Sequence, residues 1–236
     1  MMHHPTISKI TTLLCVISTA VMPLVNAQEQ EVVIQFVSFP INNDEEAIEL
    51  LTGEGKTIKV ELPTNRISIE YKVPKLQKWV IGKTIEAAKK GEKTFDVFGE
   101  VPALDSRKQL ILVIRGGPDK PNHFTLTAFD GGQAGFTGGS YLFFNASKVD
   151  IAATIGESKF ALKPQAHKLV SPKRSEKEIE LNQLDTRLYF RKGEDAVPFY
   201  TSTWRFNEKA RSMVFFYHDT HSKQLRTHTI RAYLTE

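Results

Sequence analysis

Apolar residues in this chain come in short runs, and the period of those runs is two. Residues 32–39 (VVIQFVSF) are β-branched or aromatic on both parities and stop at Pro40, which predicts a strand covered on both faces. Residues 57–62 and 67–73 alternate apolar and polar positions on either side of Pro63-Thr64-Asn65, predicting a half-exposed hairpin. The stretch between them reads differently. Asn43 is a cap, Glu46 follows three residues later and Gly53 lies past the end, so Asn42 to Leu51 predicts a helix of at most two turns. In that helix Asp44, Glu45 and Glu46 offset the dipole. Residues 75–92 lack a clean period: Ile85 to Lys90 fits one helical turn closed by Gly91, and a wrap across a sheet edge around Trp79 fits equally.

Beyond residue 94 the strand signal is continuous. Segments 95–101, 109–115 and 124–129 are separated by Pro102, by Gly116-Gly117-Pro118-Asp119 and by Asp130-Gly131-Gly132. Further strands are expected over 140–144, 150–155, 159–163, 167–170, 179–184, 187–191, 199–206, 212–218 and 224–234. Without helical stretches to carry crossovers, this pattern predicts an all-β fold. The expected architecture is an antiparallel β-sandwich, or two packed β subdomains, with at most one or two short helices. An internal boundary fits the glycine-rich residues 131–139, as does a long connection inside one domain.

The amino-terminal segment is of another kind. Lys9 is the only Lys, Arg, Asp or Glu in residues 1–27, Ile10 to Val25 is apolar but broken by Pro23, and Val25-Asn26-Ala27 closes the run. This pattern predicts a signal peptide over residues 1–27, cut between Ala27 and Gln28, and a mature all-β domain over 28–236 in the periplasm or outside the cell. The apolar run is short of the roughly 20 residues that span a bilayer. Cys15, the only cysteine, lies within it, so the mature chain would have no disulfide, thiolate ligand or cysteine nucleophile.

Composition adds one asymmetry to this picture. The 236 residues are 41% hydrophobic and 25% charged, as in an ordinary globular protein. The formal net charge is +4, and the excess lies in residues 168–236, with 13 basic against 9 acidic residues. That field is too thin for a nucleic-acid stripe.

Residues 136–172 (FTGGSYLFFNASKVDIAATIGESKFALKPQAHKLVSP) hold a glycine pair, an apolar strand ending in Asn, a Gly-centred hairpin and Leu-x-Pro before another strand. Together with ELPTNRISIEYKV and KQLILVIRG, they resemble an uncharacterised family of exported all-β bacterial proteins. The resemblance implies an exported all-β domain and brings no activity, cofactor or site residue with it.

Candidate chemistry is sparse. Gly131 to Gly139 is rich in glycine, but it lacks the Gly-Lys-Ser/Thr of a phosphate loop and a following helix, so it reads as a turn. His218-Asp219-Thr220-His221 places two imidazoles and a carboxylate together. His218 and His221 are the weak metal candidates, and His228, expected opposite about Val214, falls roughly 13 Å along the strand from His218. Ser140 is the nearest approach to a serine nucleophile and has no neighbouring histidine. Asn145-Ala146-Ser147 matches a glycosylation triplet. Trp204 shares a strand face with Tyr200, Ser202 and Phe206, which reads as packing, with a sugar platform as the alternative; Trp79 is ambiguous in the same way.

The sequence therefore supports no catalytic residue, no cofactor and no assigned metal site. The function expected is that of an exported, non-catalytic β-sandwich module for binding or structure in the bacterial cell envelope. Its partner would be a protein or glycan, with no nucleic acid and no transmembrane helix. Two alternatives are a secreted hydrolase of polysaccharide or cell-wall material using dispersed carboxylates, and an adaptor subunit docking through an edge strand.

Overall fold

The computed structural model describes residues 30–39, 48–86, 93–116, 119–132, 135–219 and 222–234. Among them are eight strands in the first half: β1 (Glu31–Phe39), β2 (Ile48–Gly53), β3 (Lys56–Val60), β4 (Tyr71–Pro74), β5 (Lys78–Glu86), β6 (Lys93–Pro102), β7 (Lys108–Arg115) and β8 (Phe124–Asp130). The second half holds β9 (Tyr141–Asn145), β10 (Ile151–Ile155), β11 (Ser158–Leu162), β12 (His167–Val170), α1 (Glu176–Glu180), β13 (Gln183–Lys192), β14 (Asp195–Arg205), β15 (Ala210–His218) and β16 (Leu225–Tyr233). No helix among the described residues is long and apolar enough to cross a membrane.

The strands form four four-stranded sheets, ordered β4-β1-β7-β8, β3-β2-β5-β6, β12-β9-β15-β16 and β11-β10-β13-β14. Raising every strand number of the first two sheets by eight gives the other two, so one topology occurs twice. Each pair of sheets closes on its own core. In the first sandwich Ile34 and Phe36 meet Leu50, Trp79 and Ile81; in the second Phe143 and Phe216 meet Ala153, Leu184 and Leu188.

Successive side chains of a strand point to opposite faces, and the inner sheets use both faces. Val37, Phe39, Leu110 and Leu112 turn away from the first core and pack against Leu142, Phe144, Met213 and Phe215 of the second sandwich. Phe39 lies flat on Phe215, ring centroids 5.0 Å apart. The molecule is thus a stack of outer, inner, inner and outer sheets. The central strands of the inner sheets, β1, β7, β9 and β15, are largely apolar on both parities because water reaches neither face.

Several expectations need correction. The pairing is not wholly antiparallel: β1 runs parallel to β7, and β9 parallel to β15. Each crossover runs through two strand pairs of the opposite sheet, β2–β3 and β5–β6 or β10–β11 and β13–β14, with β4 or β12 returning to the edge of the same sheet between them. The predicted helix over 42–51 is wrong where it can be checked, because Ile48–Gly53 is β2; residues 42–47 lie outside the described residues. Burial decides this. Ile48 and Leu50 alternate into the core, and pairing to β3 and β5 overrides a local capping signal. Residues 57–62 and 67–73 do not form a hairpin, since β3 pairs with β2 and β4 with β1 in the facing sheet. Ile85 and Glu86 end β5 instead of starting a helical turn, and residues 87–90 lie outside the described residues.

The expected strand over 179–184 begins inside α1. There Ser175 and Glu178 form a reciprocal capping box that stops the strand from starting before Gln183. The strands over 199–206 and 212–218, consecutive along the chain, are not neighbours. β14 is an edge strand beside β13, whereas β15 is central in another sheet.

Candidate functional site

In the middle of the seam between the sandwiches the facing side chains are apolar, and at one end the same parities become polar. Gln35 precedes Val37 on β1, Lys108 precedes Leu110 on β7 and Arg211 precedes Met213 on β15, each two residues before its apolar successor and hence on the seam face. With Arg66, Ile67 and Glu70 from the β3–β4 connection and Tyr233 from β16, they line a cleft of about 390 Å³. Both sandwiches contribute.

Arg211 is 5% exposed. Its Nη1 donates to the Gly131 carbonyl at 2.9 Å and reaches the Phe136 carbonyl at 3.5 Å, while its Nε is buried without a hydrogen-bond partner. The guanidinium also lies 5.1 Å from the Phe136 ring centroid. Burial pulls the Arg211 pKa below its ordinary value, and the negative charge of Glu70 offsets part of that effect. Glu70 itself is bonded to Lys108 Nζ. Arg66 is paired with Glu61 at 2.7 Å. Burial raises the pKa of Tyr141, and the charges of Arg231 and Arg174 oppose that rise.

A second concavity of about 340 Å³ is mostly apolar, lined by Phe129, Phe136, Leu142, His167 and Leu169, with Asp130 and Lys168 beside them. There the His167 ring meets Phe129 edge-on at 4.9 Å.

The residues singled out from the sequence scatter. His218 is exposed at the end of β15, and His221 lies outside the described residues, so the proposed pair is not brought together in what is described. Asp219 is occupied within the turn, accepting from Ser222 N at 2.7 Å and Ser222 Oγ at 2.9 Å. His228 faces Phe215 in register, one residue from the expected Val214, and its Nε2 lies 3.0 Å from the Thr64 carbonyl oxygen. Among the described residues no group of three or more His, Cys, Asp or Glu side chains is placed to hold a metal. Ala27, Gln28 and the acidic trio Asp44, Glu45 and Glu46 lie outside the described residues.

Ser140 is buried and donates to the Thr137 carbonyl, so its hydroxyl serves the turn. The glycine-rich stretch has a steric explanation. A Cβ at Gly138 would fall 1.9 Å from the Glu208 carbonyl oxygen, and Gly139 takes φ +74° against Phe206. The amide of Asn145 is fully buried, donating to Val149 O and Leu162 O while its Oδ1 accepts from Ser147 N and Oγ. Folded, the triplet therefore presents no amide to a glycosylating enzyme. Trp204 is half-buried, stacks on Tyr141 at 5.8 Å and donates Nε1 to Tyr200 Oη at 3.0 Å, which makes it packing at an open edge.

Arg211 was not among the residues singled out. The signal was present: it is a charge two residues before the run Met213 to Tyr217, which is apolar on both parities. The chain matches no protein-family model, and no curated protein matches it in sequence.

Proposed function

We propose that the protein is an exported, non-catalytic binding module of the bacterial cell envelope whose ligand sits in the seam cleft. The observation that carries this reading is the cleft's shared construction. Gln35, Glu70 and Lys108 come from one sandwich and Arg211 and Tyr233 from the other, so the site requires both. Edge clefts between packed sheets suit recognition because rigid strands hold the lining groups while the opening stays wet. Tyr233, 66% exposed at the mouth, adds an aromatic surface that costs little to leave in water when free.

The test is co-sedimentation of the protein with purified peptidoglycan and with envelope polysaccharide, comparing wild type with Tyr233→Ala. Loss of association with an unchanged melting temperature supports the cleft as the binding place, and unchanged association puts binding elsewhere. The export half of the proposal is read separately from the mass of the mature protein, expected to start at Gln28.

A further inference from the structure

We infer that the seam cleft is a site for an oxyanion, a carboxylate, phosphate or sulfate group carried by the ligand, held between Arg211 and Lys108. The inference rests on the cleft being the binding place and adds the chemical class that it takes. Three observations converge on it.

First, Arg211 is a cation withdrawn from water, 5% exposed, with no ion pair among the described residues. Among the described residues its partners are two main-chain carbonyls and the Phe136 ring, 5.1 Å away, and its Nε has no hydrogen bond. A buried charge is costly unless a counter-charge accompanies it, and neutral carbonyls supply only part of that compensation. The contrast is Arg174, which also has an unpartnered nitrogen but lies over the Phe206 ring at 3.8 Å and reaches Glu208 at 3.4 Å.

Second, the strand parities of Lys108 and Arg211 aim both cations into the seam from opposite sheets, so a group entering the cleft meets positive charge from two sides. Planar guanidinium and flexible ammonium are complementary donors for one oxyanion, the first directional and the second adaptable.

Third, the one carboxylate lining the cleft among the described residues, Glu70, is half-exposed and already bonds Lys108. It occupies the place an incoming anion would take. Exposed pairs of this kind are weak, so a ligand anion can displace the Glu70 carboxylate from Lys108. Glu70 then acts as an internal competitor that keeps the cleft charge-balanced when the ligand is gone.

The experiment follows melting temperature during titrations with inorganic phosphate, sodium sulfate, a polyuronate and a neutral glucan, each against sodium chloride of equal ionic strength. Phosphate or sulfate alone is expected to give a saturable rise above the chloride control. A tighter response to the polyuronate would identify an acidic glycan as the source, and a response confined to the inorganic ions would identify free phosphate or sulfate.

Lys108→Gln is expected to weaken the apparent affinity by about tenfold, as loss of one charge-assisted contact does. Glu70→Gln is expected to tighten it by about threefold by removing the competitor. The second variant gains binding, so misfolding cannot imitate it. Arg211→Lys is expected to fold, keeping the charge, and to lose affinity with the fork.

Equal titration curves for wild type, Lys108→Gln and Glu70→Gln overturn the inference, as does a response no larger than that to chloride. If the neutral glucan alone responds and Tyr233→Ala abolishes that response, the cleft stands as a binding place and the oxyanion class falls. If no probe responds and Tyr233→Ala leaves co-sedimentation unchanged, both fall.

Discussion

In the first sandwich the indole of Trp79 sits at the centre, fully buried, its Nε1 donating to Gln109 Oε1 at 2.8 Å. The position in register with it in the second sandwich is Thr186, because Ile81 and Leu188 hold equivalent places opposite Leu50 and Ala153. The second sandwich has Phe143 and Phe216 buried at its centre and adds half-buried aromatics toward the open edge, in Phe199, Tyr200, Trp204 and Phe206. Some polar details do recur. Ser38 and Asn145, near the ends of β1 and β9, each donate to main chain at or just past the end of the third strand of their half, at Leu62 and Leu162. Each half also carries a bulge at the same ladder, at Ile81/Gly82 and at Leu188/Tyr189. Strand order, bulge and latch are therefore shared while the filling differs. Topology needs the right parity of apolar positions, and many combinations of side chains fill the volume that results.

The largest effect should come from the centre of the first sandwich. Trp79→Ala is expected to cost about 4–5 kcal/mol, from lost burial and a cavity, while Thr186→Ala at the matching place should cost about 1 kcal/mol, losing one hydroxyl contact. Urea melts of the two variants measure the difference, and similar costs would mean that the halves fill their cores more alike than the registers indicate. Next is the seam. Phe215→Ala removes the partner of Phe39 and should cost about 3–4 kcal/mol. Calorimetry should show one transition for the wild type and two for this variant, and a single transition at lower temperature would show that the sandwiches are coupled by other contacts.

Smaller effects are expected at the edge. Trp204 is half-buried, so Trp204→Ala should cost about 1–2 kcal/mol, less than Trp79→Ala although the residue type is the same. A cost equal to that of Trp79 would show the edge to be as well packed as the centre.

The smallest concerns α1, for which the corresponding β4–β5 connection of the first sandwich has no helix. Burial alone would raise the Glu178 pKa, but hydrogen bonds from Ser175 N, Asp185 N and Ser175 Oγ, with the Arg174 charge, outweigh it and hold the pKa below the usual carboxylate range. A carboxylate with a depressed folded-state pKa stabilises the fold above its unfolded pKa, and that contribution disappears as pH falls through the folded value. Glu178→Gln should therefore cost about 1 kcal/mol at neutral pH and almost nothing in strong acid. Melting temperatures at pH 7 and pH 3 check the sign.

How much of this was legible in the sequence depends on the range of the contacts. The inner strands could be read because burial on both faces leaves a local mark, as in residues 32–39 and 212–218. Most strand limits followed from prolines and glycines between them. What could not be read was pairing across half of a sandwich: β1 meets β7 and β9 meets β15 through partners that leave no local pattern. The same lack produced the false helix at Ile48–Leu51 and the false hairpin around Pro63. The repeated topology was hidden because it preserves parity and not identity, as Trp79 and Thr186 illustrate. The cleft followed the same rule: Lys108 and Arg211 line one opening only once two sheets have been laid face to face.

The parallel pairs also set the tempo of folding. Val33 has to find Lys108, and Tyr141 has to find Ser212, before either inner sheet has its central seam of hydrogen bonds. Loops that long are closed early at an entropic loss that local contacts repay only in part. A two-sandwich chain dominated by such distant pairings belongs among slow folders, in the range of milliseconds to seconds or longer. During that interval the apolar inner strands are open to other chains, and hairpins such as β10–β11 and β15–β16, which form locally, are the natural first structures to shield them.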